Sequence, residues 1–337
     1  MEIIKNIKKN TIIIVVVTII VLFVVLRKDF NTIINDLQTM DLKYILIAIL
    51  LYILYLVLHS YVVYLTVNKK EKFSFLESIK HNVIVQFFNG ITPFSTGGQP
   101  MEIYMLREHD ISLSRATNYI LQNFIFYQIA LVLFGAVAVF ANFTFKLFPK
   151  VNLLRDLVAL GFLINTLVAV ILLFISFSKS ITKSFIHYMI NILYKINLVK
   201  NKDKQVEVWD KRIDEFHECA RELKRRKSLF VVGVLLNFLG LLCLYSIPLF
   251  ILYALHDFHS MDLISTASSS AYVMIVGSFV PIPGASGGIE YGFTQFFGNF
   301  LPKTKVNTVL LVWRFITYYL GMIIGAILFN LDKPKNK

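Results

Sequence analysis

Two long apolar stretches in this chain are each interrupted by the same small cluster of residues. The first interruption is Pro93-Phe94-Ser95-Thr96-Gly97-Gly98, followed by Glu102. The second is Pro283-Gly284-Ala285-Ser286-Gly287-Gly288, followed by Glu290. Proline lacks a backbone donor and paired glycines open a helix, so neither stretch can run as one continuous helix. Broken backbone at bilayer depth is tolerated only where it is buried in protein or lines a cavity. The two clusters share the pattern Pro-x-x-Ser/Thr-Gly-Gly-then-Glu, 190 positions apart and one in each half of the chain. Paired breaks of this kind point to a transporter-type binding site.

The surroundings of the breaks fix the fold class. Hydrophobic residues make up 56% of the chain, and mean hydropathy is +0.66. Apolar runs of bilayer-crossing length recur, which predicts an all-α polytopic membrane protein. Complete spans are expected near residues 7–26, 42–67, 118–141, 157–177, 229–255 and 309–329, six in all. The broken segments, 80–106 and 265–300, read as re-entrant helical hairpins. The chain then divides into a first membrane half, 1–177, a basic cytoplasmic segment, 178–228, and a second membrane half, 229–337. With the amino terminus inside, the first hairpin opens to the cytoplasm and the second to the outside, an inverted-repeat arrangement. Lys5, Lys8 and Lys9 before the run Thr11 to Leu26 resemble a signal peptide, but Leu22 to Leu26 offers no small-residue cleavage site, so an uncleaved span is expected. Cys219 and Cys243 fit no disulfide or zinc framework and read as inert thiols.

A formal charge of +13 raises the question of nucleic acid, and its placement answers it. In this topology 25 of the 34 Lys and Arg lie in cytoplasmic loops and tails. That asymmetry is the positive-inside rule, so the charge reports orientation, with both termini cytoplasmic, and no nucleic-acid partner is expected. Thirteen of these cations sit in segment 178–228. There Val206, Trp209, Ile213, Phe216, Ala220 and Leu223 recur at spacings of three and four, an apolar stripe on a helix. Ile186, Met189, Ile192, Leu193 and Ile196 form a second amphipathic stretch upstream. Residues 203–227 are therefore expected either to meet an anionic membrane surface or to pack on neighbouring helices.

The chemistry is expected where the helices restart. In the first hairpin Thr96 can cap a new helix, Gln99 sits three residues on as in a capping box, and Pro100 suits the first turn. In the second, Ser286 or Gly287 can cap and Glu290 falls in the first turn. Each returning helix would aim its N-terminus at the membrane centre, a place that suits an anionic group such as a phosphate. Thr96, Gly97, Gly98, Gln99 and Glu102, with Ser286, Gly287, Gly288 and Glu290, are thus the candidate substrate-binding residues; Gln99 and Glu290 have the simpler reading of capping their own helices. Arg314 completes the set, because it stands inside the apolar run 309–329. A cation at the bilayer centre costs about 2.5–3.5 kcal/mol on insertion scales. Arg314 either snorkels beside Trp313 or pairs with Glu290 across a cavity; Glu102 is an inner counterpart or reaches the cytoplasmic interface.

Other polar residues have plainer readings. His59, Gln122, Asn123, Gln128, Asn165 and Asn237 are expected to form interhelical hydrogen bonds. His256, Asp257, His259 and Asp262 only weakly resemble a metal cluster. No hydrolase, zinc-protease, Walker or dinucleotide fingerprint is present in a suitable context, so no metal, cofactor or catalytic residue is expected.

The stretches Asn89-Gly90-Ile91-Thr92-Pro93-Phe94-Ser95-Thr96-Gly97-Gly98-Gln99-Pro100 and Pro281-Ile282-Pro283-Gly284-Ala285-Ser286-Gly287-Gly288-Ile289-Glu290 resemble the paired motifs of the lysylphosphatidylglycerol synthetase/flippase membrane-domain family. The similarity runs over nearly the whole chain. It implies a bacterial plasma-membrane lipid translocase, acting on a phospholipid headgroup such as aminoacylated phosphatidylglycerol. Full-length family members carry a further soluble lysyltransferase domain; with the sequence ending at Lys337, that activity is not expected here. Two other readings stand beside it: a lipid-modifying enzyme or subunit of the phosphatidylglycerol lysyltransferase type, and a scaffold that recruits a glycosyltransferase or synthetase. A homo-oligomer stays open.

Overall fold

A computed structural model describes residues 30–148, 152–195 and 201–331, and all the regular structure among them is helical. The elements are α1 (Phe30–Thr39), α2 (Leu42–Val67), α3 (Phe75–Ile91), α4 (Gly98–Glu108), α5 (Leu113–Phe145), α6 (Asn152–Phe177), α7 (Lys179–Lys195), α8 (Lys202–Arg225), α9 (Lys227–Ala254), α10 (Leu263–Gly277), α11 (Gly288–Phe297), α12 (Lys303–Arg314) and α13 (Leu320–Leu331). Short 3-10 turns, Pro93–Ser95 and Pro283–Ala285, join α3 to α4 and α10 to α11, and a π turn at Phe315–Tyr319 joins α12 to α13. Five helical segments among the described residues are long and apolar enough to cross a membrane: 42–67, 113–145, 158–176, 227–254 and 303–331. The span expected at 7–26 lies outside the described residues.

Local sequence sets the helix starts. Asp41 caps α2 by accepting from Lys43 N at 2.9 Å. Ser74 and Glu77 form a reciprocal capping box at α3, and Asp262 and Ser265 form another at α10. At 33 residues, α5 is about 50 Å long at 1.5 Å per residue, more than a hydrocarbon core needs. Its N-terminal end uses the surplus as an anchor for α8: Ser112 donates to Glu215, and the Asn118 amide donates to Phe216 O at 2.9 Å. Helix α8 packs in turn along α7, where Lys179 and Lys183 reach Asp214 at 2.7 and 3.6 Å. The apolar stripe of segment 203–227 is thus turned partly onto protein, with Ile213 buried.

Helices α2 and α9 run antiparallel through the middle of the bundle, tied at one end by Asp41 N donating to Ala254 O at 3.0 Å. The main core gathers around them, with Phe126, Leu241, Tyr245, Ile251, Phe293 and Phe297 fully buried. Polar residues of the spans meet in interhelical bonds. His59 faces Asn237 at 3.0 Å, Thr66 donates to Asn123 at 3.1 Å, and Gln128 donates to Asn165 at 2.8 Å. Gln122 instead bonds within its own helix, to Asn118.

The hairpin α3/α4 opens at the end of the bundle where α2 finishes, and the rings of Phe73 and His109 meet there at 5.4 Å. The hairpin α10/α11 opens at the opposite end, where α9 and α5 finish and Phe148 packs on Tyr272 and Phe296 at 5.0 and 5.2 Å. Their two turns touch in the interior. Helix α13 holds the first hairpin from the side: a Cβ on Gly325 would lie 2.3 Å from Val83 O, so only glycine lets α13 approach α3 that closely.

Candidate functional site

The two turns bound a cavity of about 530 Å³. Its walls come from both halves of the chain: Tyr52, Tyr55 and His59 of α2, Asn82, Gln86 and Asn89 of α3, Tyr127 of α5, and Tyr245 of α9, closed by Arg314, Thr317 and Tyr318. Thr96, Gln99 and Glu102 line it from the first hairpin, and Gly284 and Ala285 from the second. Of the other candidates, Gly97, Gly98, Ser286, Gly287, Gly288 and Glu290 belong to the turns and helix starts rather than to the cavity lining.

The second turn is built around an ion pair. Arg314 is 3% exposed and Glu290 5% exposed, so the arginine does not snorkel. Its Nε and Nη2 donate to Glu290 Oε1 at 2.9 and 2.6 Å, and Nη2 also donates to Gly284 O at 2.9 Å. The guanidinium lies over the Tyr318 ring at 5.2 Å, and the Tyr318 hydroxyl donates to Gly90 O at 2.8 Å, which links the π turn to the first hairpin. Glu290 Oε2 accepts from Gly287 N at 2.5 Å, so one carboxylate caps α11 and neutralises Arg314. Among the described residues no acceptor engages Arg314 Nη1, whose two N–H donors remain for the cavity. The π turn begins one residue after Arg314, and such turns inside helices often mark functional sites.

The first turn uses neutral groups. Thr92 Oγ1 accepts from Gly97 N at 2.8 Å and donates to Phe88 O at 2.7 Å. Phe94 and Ser95 take φ of 53° and 54°, left-handed values uncommon outside glycine. A Cβ on Gly98 would stand 2.2 Å from Asn89 Oδ1, which is why α4 can fold back tightly on α3. Glu102, 7% exposed, faces the cavity, and no hydrogen bond or ion pair engages it among the described residues.

The capping expectation is corrected at the first turn and met at the second by Gly287 and Glu290. Thr96 does not cap α4; its hydroxyl donates to Pro93 O at 2.9 Å, the N-cap is Gly97, and the hydroxyl that serves it is Thr92, five residues upstream. Gln99 forms no capping box and points to the cavity. At α11 the N-cap is Gly287, with φ of 89° that a side chain would strain, while the Ser286 hydroxyl donates to Pro283 O at 3.3 Å. The outer residues that resembled metal ligands are otherwise engaged: Asp257 pairs with Lys305 at 2.5 Å and Asp262 caps α10. The sequence reading missed the cavity tyrosines. Tyr52, Tyr55 and His59 recur at steps of three and four on α2, so their shared face was visible; what they faced was not.

A helical bundle with five membrane-length segments and a cavity of mixed polar and apolar lining at the meeting of two broken helices is a polytopic membrane protein with an internal site. Residues 11–325 match the family described as the lysylphosphatidylglycerol synthase TM region, and the chain belongs to that family. A UPF0104 membrane protein of Archaeoglobus fulgidus is 25% identical over 280 residues, covering 79% of each chain.

Proposed function

We propose that this protein is a lipid translocase that carries a phospholipid headgroup across the membrane through the cavity between its hairpin tips. The observation that carries the reading is the cavity itself: about 530 Å³, walled by both halves, and lined by the charged groups Arg314 and Glu102 at the depth of the spanning helices. A charged headgroup cannot cross hydrocarbon unaided, and polar walls that replace its water remove that barrier. The free Nη1 of Arg314 is the donor for the phosphate, joined by the amide of Gln99. Hairpins that open at opposite ends of the bundle give each side its own route to the cavity, and rocking one hairpin against the other alternates them. The setting of this reading is a bacterial plasma membrane with cytoplasmic termini, and segment 203–227 rests against the anionic inner surface.

The test is movement of fluorescent phosphatidylglycerol and phosphatidylethanolamine in vesicles containing the purified chain, read by quenching the outer leaflet. Movement above protein-free vesicles is expected, with at least a tenfold loss in Arg314→Gln. No movement of any headgroup would remove the translocase reading. A lipid-modifying activity would instead yield a new lipid when an activated donor is supplied.

A further inference from the structure

We propose that Glu102 is a proton-binding site, the carboxyl through which this cavity loads and releases a proton as it cycles; the coupling to lipid movement rests on the translocase reading above. The argument begins with the charges around the cavity. Arg314 is already balanced by Glu290, at 2.6 Å and behind the cavity wall. Glu102 is therefore the one charged group on the lining without a counter-charge among the described residues. An ionised carboxylate buried to 7% exposure, with no donor and no cation, is strongly disfavoured in a protein interior. It must share its place with a cation, and a proton is the smallest one.

The neighbours of Glu102 leave that role open. On α3 the residues that face the cavity are Asn82, Gln86 and Asn89, all neutral; Glu77, Lys80 and His81 lie toward the open end of the hairpin, and Glu77 meets His109 there at 3.7 Å. On α5, Arg115 is held by Glu71 at 3.0 Å and the Tyr119 hydroxyl donates to Glu71 at 3.1 Å, while Tyr127 lines the cavity. From α2 come Tyr52, Tyr55 and His59, and His59 is engaged with Asn237. Tyr245 of α9 and Tyr318 are the remaining titratable groups on the wall. On α4 itself Tyr104 is exposed, and Arg107 and Glu108 stand in the last turn. Tyrosine hydroxyls and carboxamides can bond either form of a carboxyl, so protonation costs no existing contact.

The geometry also supplies a way to change sides. Glu102 rides on the returning arm of the first hairpin, whose tip meets the second turn and whose outgoing arm receives the Tyr318 hydroxyl at Gly90 O. Neutral, the carboxyl can remain at the cavity wall; ionised, it favours water at the open end of its own hairpin. A proton therefore biases the position of that arm.

The deciding measurement is infrared difference spectroscopy on the full chain in lipid vesicles during a pH jump, with wild type compared to Glu102→Gln, Glu102→Asp and His59→Asn. A protonated-carboxyl C=O band that titrates in wild type, persists in shifted form in Glu102→Asp, is kept in His59→Asn and vanishes in Glu102→Gln is the expected result. A companion assay traps a pH-sensitive dye in the vesicles and follows proton entry while labelled phosphatidylglycerol moves; Glu102→Gln should abolish proton entry. The absence of a Glu102-dependent carboxyl band at every pH would overturn the proposal, as would unchanged proton entry in Glu102→Gln. If glycerophosphoethanolamine, rather than pH, perturbs a permanently ionised Glu102, the site takes an ammonium group and the proton is ruled out. A titrating band without lipid movement would leave the proton site standing and sink the translocase reading alone.

Discussion

The two hairpins begin from nearly the same sequence and close in different ways. Both break at Pro-x-x-Ser/Thr-Gly-Gly, both pass through residues with positive φ, and both restart a helix at a capping glycine. In the second, Glu290 reaches back to Gly287 N and sideways to Arg314, so a charge pair fastens the turn to the last spanning segment. In the first, the neutral hydroxyl of Thr92 fastens the turn, and the acid that follows, Glu102, faces the cavity unpaired among the described residues. Moving the acid two residues along the helix changes its face, and with it the job. Glu290, in the first turn, folds back as a cap; Glu102, two residues further from its cap, cannot. The second hairpin is thus fastened by a charge pair and the first by a neutral bond.

The largest effect should come from splitting the charge pair. Removing one partner leaves a buried, uncompensated charge, which typically costs about 3–5 kcal/mol. Glu290→Gln and Arg314→Gln should each lower the thermal midpoint in detergent sharply, whereas the double change should be milder than the sum. Additive effects would mean that the pair does not act as a unit and would erase the contrast between the hairpins. Glu102→Gln, with no partner to orphan, should leave the midpoint equal or raised.

The glycines come next, and they separate two physical causes. Gly98→Ala forces a Cβ to within 2.2 Å of Asn89 Oδ1, while Gly287→Ala meets nothing within 4 Å but must hold φ near 89°. Overpacking costs about 1–3 kcal/mol, and a strained backbone costs a similar amount, about 1–3 kcal/mol. The two should therefore look alike alone and differ in rescue. Adding Asn89→Ala should restore part of the loss in Gly98→Ala, and no change of a neighbour should restore Gly287→Ala. Rescue of both, read by unfolding in detergent, would show that the second turn is also limited by contact.

Much of this was legible in the chain because hydropathy and helix breakers act locally. The expected span 42–67 coincides with α2, and the breaks at Pro93 and Pro283 fall where α3 and α10 have ended. The cap of the first turn was misread because nearness in sequence was taken for nearness at the helix start, whereas Gly287 and Glu290 cap the second as expected. Thr96 is adjacent to Gly97 but turns away, whereas Thr92 comes back over the turn because Phe94 and Ser95 reverse the chain with positive φ. The π turn at 315–319 and the tyrosine wall depend on how distant helices meet, which local pattern does not encode. A smaller prediction follows from Thr92. Thr92→Val keeps the shape and removes the bond to Gly97 N, at a cost of about 1 kcal/mol typical of a lost cap; Thr92→Ser should be close to wild type. Equal loss in both would assign the role to the methyl group.

The smallest effect lies at the base of the second hairpin, outside the membrane-spanning segments. Burial alone would raise the Asp257 carboxyl, but the Lys305 ammonium at 2.5 Å and the donors of Ser260 outweigh it and hold Asp257 down to about 2. A depressed carboxyl stabilises the fold fully above its unfolded value, near 3.8, and the contribution fades as pH falls through about 2. Wild type should therefore exceed Asp257→Asn by a constant margin from pH 7 down to about pH 4, and the margin should close below it. Lys305 is partly exposed, so that margin should stay within about 1 kcal/mol, the range of surface pairs. High salt should shrink it further, because screening acts on exposed charges. The buried pair of Glu290 and Arg314 should ignore the same salt. A margin that grows toward acid, or a salt response shared by both pairs, would mean that the charges of the second hairpin form one solvent-coupled network rather than an interior clamp with an outer stay.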